Sequence, residues 1–275
     1  MWICRGDEPL GDRAGGVVLV PTMGALHEGH LALVRLGVAH AERSGLRGCV
    51  VSVFVNPTQF DDPADYERYA RVLDEDAALC EANGAAGVYA PSVEAVYPPD
   101  RPVPVPALPD QAVGKGLEDA HRPGHFEGVC QVVRRLFDLV RPAAAVFGEK
   151  DWQQLQVVRA MTARDGLGVE ILNGPTVREP DGLAMSSRNR FLEGAQRDQA
   201  LALRRALDAA CGESSPARAE AAMRRVFREH GIDEPDYAAV CDAESLGPVV
   251  PGRPARAITA ARVGTVRLLD NAPWP

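Results

Sequence analysis

Short runs that are apolar at nearly every position recur along the first two-thirds of the chain: Val17–Val20, Cys49–Val55, Val88–Ala90, Ala143–Phe147 and Val169–Leu172. Each is followed by a stretch of helical length. A strand that is apolar on both faces has no solvent side, so it belongs inside a sheet covered by helices, and the repetition points to a parallel α/β sheet. The intervening stretches agree. Leu31, Val34, Val38 and Ala41 share one face of a helix over about 30–44. Val129, Val132, Val133, Leu136 and Val140 share a face of another. A polar helix is expected over about 65–83 and a further one over 151–165. Ligands of such folds sit beyond the carboxyl ends of the strands, and the polar clusters fall there. His27 and His30 follow Val17–Val20, Asn56 and Gln59 follow Cys49–Val55, and Lys150 and Asp151 follow Ala143–Phe147.

Two stretches break the pattern. Pro98–Pro109 holds six prolines in twelve positions, which bars a central strand and predicts an extended excursion or edge hairpin. After about Pro175 come two amphipathic helices, over 196–211 and 216–230, and then short strands near 237–241, 257–261 and 265–269. That ordering is α+β and predicts a second, smaller domain, with the division at 1–176 and 177–275.

Charge narrows the partners. Thirty Lys+Arg against 38 Asp+Glu leave a net charge of −8, the wrong sign for a chain whose main task is gripping nucleic acid. No apolar run approaches the ~18 residues of a membrane helix, and the N-terminal residues lack a basic-then-apolar signal. A cytoplasmic protein without nucleic-acid or membrane partners is expected. The six cysteines are dispersed, with no C-x-x-C pair, so a zinc framework or redox couple is not indicated and they read as small buried residues.

Three clusters can carry chemistry. Pro21-Thr-Met-Gly-Ala-Leu-His-Glu-Gly-His30 lies between a strand and a helix. A helix N-terminus there offers unpaired N–H groups to phosphate, Gly29 lets an anion approach the backbone, and two imidazoles can donate to a polyphosphate. The plain alternative is a capping turn with two surface histidines. Phe147-Gly-Glu-Lys-Asp-Trp-Gln-Gln154 repeats the grammar. Lys150 is suited to neutralise a phosphate, Asp151 to cap the helix or grip a ribose hydroxyl, and Gln154 to face the same side. Met185-Ser-Ser-Arg188 combines two hydroxyls and a guanidinium in one loop, either an anion clamp or a polar turn. Asn56 and Gln59 add neutral amides, Arg122 and His125 are weaker candidates (His125 equally a helix cap), and Glu75 and Asp76 read from spacing as a solvated helix face.

Taken together, residues 21–30, Val55-Asn-Pro-Thr-Gln-Phe60, Arg122-Pro-Gly-His-Phe126, 147–154 and Asp181-Gly-Leu-Ala-Met-Ser-Ser-Arg-Asn189 resemble the pantothenate synthetase (pantoate–β-alanine ligase) family, from about residue 17 to Asn271. The resemblance implies a Rossmann-like nucleotide-binding domain with a smaller C-terminal lid, commonly as a homodimer. It implies an ATP- and Mg2+-dependent ligase that joins (R)-pantoate to β-alanine through a pantoyl-adenylate, releasing AMP and diphosphate. Carried over by position, His27, His30, Lys150, Ser186, Ser187 and Arg188 would meet the phosphates, with His27, His30, Lys150 and Arg188 the catalytic set. Gly148 and Asp151 would hold the ribose, and Val177 and Met185 the adenine, with Met23 at the nucleotide's edge. Pro21, Met23, Gln59 and Gln154 would form the pantoate pocket, and Asp76 would stand on the magnesium side. Departures lie at Tyr69-Ala-Arg-Val72, at Leu117-Glu-Asp119 and in the few residues ahead of the first motif, which imply a shortened N-terminal strand or helix. Rivals are another H-x-G-H nucleotidylyltransferase, an idle nucleotide-binding regulator and, less favoured, an RNA-ligating synthetase.

Overall fold

The computed structural model describes residues 1–60 and 63–275. Six parallel strands form the main sheet: β1 (Trp2–Gly6), β2 (Val18–Thr22), β3 (Cys49–Val53), β4 (Gly87–Pro91), β5 (Ala144–Gly148) and β6 (Glu170–Gly174), in the order β1-β4-β3-β2-β5-β6. The helices joining them are α1 (Glu28–Arg43), α2 (Pro63–Arg68), α3 (Leu73–Ala82), α4 (Val93–Val96), α5 (Glu118–His121), α6 (His125–Val140) and α7 (Trp152–Arg164). Period-two alternation on strands buried on both sides gives two cores. Leu19, Val50, Ala145 and Phe147 pack with α6 and α7 through Val129, Val133, Leu136 and Leu155. Val18, Val20, Val51 and Val146 pack on the opposite face with Val34 and Ala41 of α1 and Ala77 and Cys80 of α3. Each of the Val, Leu and Phe side chains among them, fully buried, contributes about 1.5–3 kcal/mol of transfer free energy.

The chain leaves β2 toward β3 on one side and returns to lay β5 on the other, so the strand order reverses between β2 and β5. Their adjacent carboxyl ends form the crevice where open sheets of this kind take ligands.

Beyond β6 come α8 (Ala195–Ala200), α9 (Ala202–Cys211) and α10 (Pro216–Glu229), followed by an antiparallel sheet of β7 (Tyr237–Asp242), β8 (Ala255–Val263) and β9 (Val266–Trp274). α9, α10 and one face of this sheet enclose a further core around Leu203, Leu207, Met223 and Phe227. The other face sends Tyr237, Cys241 and Ile258 into the core shared with α6 and α7.

Several elements differ from expectation. Trp2–Gly6 is a full edge strand paired with β4. The polar helix expected over 65–83 is two helices. Arg71 donates to the carbonyls of Tyr66, Glu67 and Tyr69 and stacks on the Tyr66 ring, taking up the C-terminal acceptors of α2 and ending it. The helix over 196–211 tightens at Leu201 (φ −64°, ψ −14°) into α8 and α9. The proline segment forms no strand and is an extended excursion, tied down where Gln131 Nε2 donates to Val103 O at 2.6 Å. All six cysteines are free thiols, five of them buried and Cys211 exposed. Among the described residues no helix is long and apolar enough to cross a membrane.

Candidate active site

After Thr22 the chain must turn sharply to enter α1, and it does so through two consecutive left-handed residues, Gly24 (φ +80°) and Ala25 (φ +52°). Glycine takes the first without strain, and a Cβ there would stand 2.8 Å from Asp76 Oδ2 and 2.9 Å from Val53 Cγ1. Thr22 Oγ1 accepts from the Gly24 N–H at 3.2 Å, while Asp76 accepts from the Ala25 and Leu26 N–H groups at 3.0 and 2.8 Å. The solvated face expected for Asp76 is therefore wrong. α3 turns it inward, 1% exposed, and leaves Glu75 outside. Burial raises the Asp76 pKa, with the two amide hydrogen bonds pulling the other way.

α1 begins with reciprocal histidine caps. His27 Nδ1 accepts the Gly29 N–H at 3.2 Å, and His30 Nδ1 accepts the His27 N–H at 3.3 Å. An amide N–H can only donate, so both Nδ1 atoms are unprotonated and each ring carries its proton on Nε2. The ring centroids lie 4.0 Å apart. Burial lowers the His30 pKa to about 3, aided by His27 and Lys150 nearby, and burial with Lys150 lowers that of His27. Two neutral N–H donors thus stand at the positive end of α1. Gly29 serves this cap: a Cβ there would meet His27 Cε1 at 2.9 Å and Met185 Cβ at 3.6 Å, so the ring fills the room expected for an anion.

Lys150 sits in the single turn 149–151 between β5 and α7, its Nζ 3.5 Å from Asp151 Oδ1. Asp151 occupies the N-cap position of α7, but its side chain makes no capping bond, contrary to the capping expectation, and its half-exposed carboxylate faces the cleft. β9 holds this turn from behind. Asn271 Nδ2 donates to Glu149 O (2.9 Å) and Lys150 O (2.8 Å), and Arg256 bonds Asn271 Oδ1 (2.6 Å) and Glu149 (3.2 Å). The neighbouring Asp270 takes Arg178 bidentately at 2.7 and 3.0 Å. Sequence reasoning missed Arg178, Arg256, Asp270 and Asn271; the polar pair closing the last strand-like run was the signal available.

Val177 O accepts the Met185 N–H at 3.0 Å, setting the two strips of the 177–185 turn side by side. Ser186 Oγ accepts the Arg188 N–H at 3.2 Å, and Asn189 Nδ2 ties the loop to Glu179 (2.6 Å) and Ala184 O (3.0 Å). On the other wall, Asn56 is buried and donates to Gln59 Oε1 at 3.1 Å, which aims the Gln59 Nε2 group outward, 3.4 Å from Met23 Sδ. Arg122 donates to Gln59 O at 3.1 Å and His125 Nδ1 lies 3.4 Å from the same atom. His125 does not cap α6, whose N-cap is Gly124. Asn56, Arg122 and His125 thus hold the loop that presents Gln59.

One cleft collects these pieces. Pro21, Met23, His27 and His30 line it from β2 and its turn, with Gln59 opposite. Gly148, Lys150, Asp151 and Gln154 come from β5 and α7, and Val177, Met185, Ser186, Ser187 and Arg188 close the far side. Asp76 lies behind the wall.

An open parallel sheet whose switch point carries an anion-receptive helix end and a cationic turn defines a nucleotide-binding α/β enzyme. The family model described as "Pantoate-beta-alanine ligase" matches residues 7–273. A pantothenate synthetase from Nocardioides sp. is 50% identical over 268 residues, covering 95% of this chain and 79% of the relative. The crystal structure of pantothenate synthetase from Thermus thermophilus superposes with a TM-score of 0.89 at 43% identity, covering 100% of both chains. That of pantoate-beta-alanine ligase from Francisella tularensis, complexed with beta-gamma ATP and beta-alanine, does so with a TM-score of 0.79 at 28% identity over 99% and 97%. The chain belongs to the pantoate-beta-alanine ligase family and is an ATP-dependent ligase of pantoate and β-alanine.

Proposed function

We propose that the cleft runs the ligation in two steps at one place. A carboxylate is a poor electrophile toward an amine because its carbonyl already carries negative charge. In the first step a pantoate carboxylate oxygen attacks the α-phosphorus of ATP, and the bond from that phosphorus to diphosphate breaks. In the second the β-alanine amine attacks the acyl carbon, AMP leaves and the amine loses a proton. Two anions must meet in the first step, so the donors have to be in place beforehand. His27 and His30 offer Nε2–H, Lys150 a compact cation, and Ser186, Ser187 and Arg188 a second anion-binding edge. Local focusing of positive charge then outweighs the net −8.

Gly148 and Asp151 would meet the ribose, and the backbone at Val177 and Met185, with Met23, the adenine side. Gln59 and Gln154 would hold pantoate between Pro21 and Met23. No covalent nucleophile is needed, since orienting two bound reactants contributes about 7–11 kcal/mol. The 185–188 loop would shield the adenylate from water. The residues do not fit a resident magnesium: Asp76 spends both oxygens on backbone amides, and among the described residues no group of three His, Cys, Asp or Glu could hold a metal. Mg2+ is proposed to arrive on the triphosphate, with phosphate and water as its ligands. We further propose a cytoplasmic homodimer divided near residue 177.

The observation that carries this reading is the convergence of the His27–His30 cap, Lys150 and Arg188 from separate segments beside Gln59 and Gln154 in one cleft. The test mixes purified protein with ATP, magnesium, pantoate and β-alanine and omits each in turn. AMP and the amide should form only in the complete mixture, and pantoate alone should drive exchange of labelled diphosphate into ATP. Exchange without amide formation would make the chain a nucleotidylyltransferase instead. Lys150→Ala should abolish most exchange in a folded protein, and Gln59→Ala should raise the pantoate requirement more than the ATP requirement.

A further inference from the structure

We propose that Asp76 is a positioning residue for adenylation, acting on the phosphate-facing histidines through the turn at 24–26. The inference rests on the reading that His27 and His30 meet the phosphates. Two adjacent backbone N–H groups, of Ala25 and Leu26, point into the protein and end on the two oxygens of one carboxylate, at 3.0 and 2.8 Å. Burying a carboxylate is costly, and among the described residues the groups acting on this one are the Ala25 and Leu26 amides and the like charge of Glu75. A side chain that caps both amides at once needs two acceptors and no donor, and an ionised Asp supplies that. The backbone it holds is the strained part: φ +80° at Gly24, where a Cβ would collide with Asp76 itself, then φ +52° at Ala25, which is not glycine.

The next residue in line is His27, whose N–H donates to His30 Nδ1 at 3.3 Å. The contacts therefore run from α3 through two amides to the hydrogen bond that fixes the His30 tautomer. A shift of the turn would leave both rings in the cleft with their Nε2–H groups misdirected.

The experiment compares Asp76→Asn with wild type and with His30→Ala. Asn keeps one acceptor and sets an NH2 against the other amide, so it perturbs the turn at nearly constant volume. Pantoate-dependent diphosphate exchange is measured at varied ATP, pantoate and magnesium, and nitrogen-15 NMR reads the ring tautomers in the free protein. Asp76→Asn should lower kcat at least tenfold, leave both KM values within about threefold, and change the His30 ring signals. A purely structural residue would lower thermal stability and the active fraction while leaving the tautomer and the per-site kcat alone; that result overturns the proposal. So does recovery of kcat at raised magnesium, which would make Asp76 a metal ligand. If His30→Ala keeps full exchange, the reading of the site fails. If His30→Ala loses exchange while Asp76→Asn keeps it, only the present inference fails.

Discussion

His27 and His30 each use one ring nitrogen to close the first turn of α1 and so commit the other to the cleft. Cap and ligand, which the sequence poses as alternatives, would on the proposed reading be two atoms of the same imidazole. The consequence can be measured. With its pKa lowered to about 3, chiefly by burial, His30 is neutral in the free protein throughout the range where an ordinary histidine titrates. The kcat/KM profile for ATP should show no inflection from His30 near pH 6.5, and a rate falling with such an inflection, removed in His30→Gln, would contradict the neutral-donor role. Loss of one donor to a developing anion costs about 100- to 1000-fold in kcat. His30→Ala should fall in that range, with His30→Gln less impaired because its amide can still donate. The same shift sets a sign on stability. The unfolded chain takes up a proton that folded His30 refuses, so this site's contribution is intact above about pH 6.5 and is lost as pH falls toward 3. At this scale the motif residues were legible because strand–turn–helix spacing and residue type carry their chemistry. Asp76 was not, since Asp74-Glu-Asp76 reads as uniformly polar and the face of α3 that turns inward depends on where the 24–26 turn lies.

β9 shows how one strand can serve two parts of a site. Its neighbouring residues Asp270 and Asn271 hold Arg178, beside the proposed adenine wall, and the carbonyls of Glu149 and Lys150, beside the proposed phosphate site. Leaving a buried acceptor without its donor costs about 1–3 kcal/mol, a factor of about 5 to 150, and these partly buried carbonyls set that as the upper range. Asn271→Ala should therefore raise KM for ATP or lower kcat within that span, with KM for pantoate unchanged in steady-state assays. On the proposed pantoate wall the analogous contact is a close approach. A Cβ at Gly128 of α6 would stand 2.4 Å from Thr58 O and 3.0 Å from Gln59 N. Gly128→Ala must push the 57–59 turn away, and it should raise KM for pantoate well above KM for ATP. The order and parallel character of the main strands could be read from apolar runs, because burial on both faces leaves a compositional mark. Ends were harder to read. The strand expected near 265–269 runs on to Trp274, because Asp270 and Asn271 are satisfied by distant partners and Pro273 lies on an edge strand, where a missing N–H is tolerated. The break between α2 and α3 came from Arg71 reaching back to carbonyls, a contact that periodicity does not encode.

Across the whole molecule, the polar contacts between the three-stranded sheet and the rest are buried and specific. Glu118 at the start of α5 accepts both arms of Arg267 (2.8 and 2.6 Å) and the Tyr237 hydroxyl (2.8 Å), and Trp152 Nε1 donates to Ala243 O at 2.8 Å. A rigid swing of everything after residue 177 would have to break these bonds together with those of Asn271. The 185–188 loop, which belongs to the expected second domain and lines the cleft, takes part in none of these bonds. Glu118 also reports on the junction. Burial pushes its pKa up, but hydrogen bonds and charge from Arg267, with Arg122 and Tyr237, outweigh that and hold it at about 2. A carboxyl depressed in the folded state contributes stability that is complete above its unfolded value of about 4.5 and is lost as pH falls toward 2. Removing one partner of a buried pair costs about 3–5 kcal/mol. In urea unfolding at pH 7 Glu118→Gln should therefore be less stable by roughly that free energy, and the gap to wild type should narrow progressively between pH 4.5 and pH 2. Fluorescence and circular dichroism should trace one coincident transition in the wild type. A gap independent of pH would show that Glu118 is not the charged partner of Arg267, and separate transitions would show that the two sheets are not locked together.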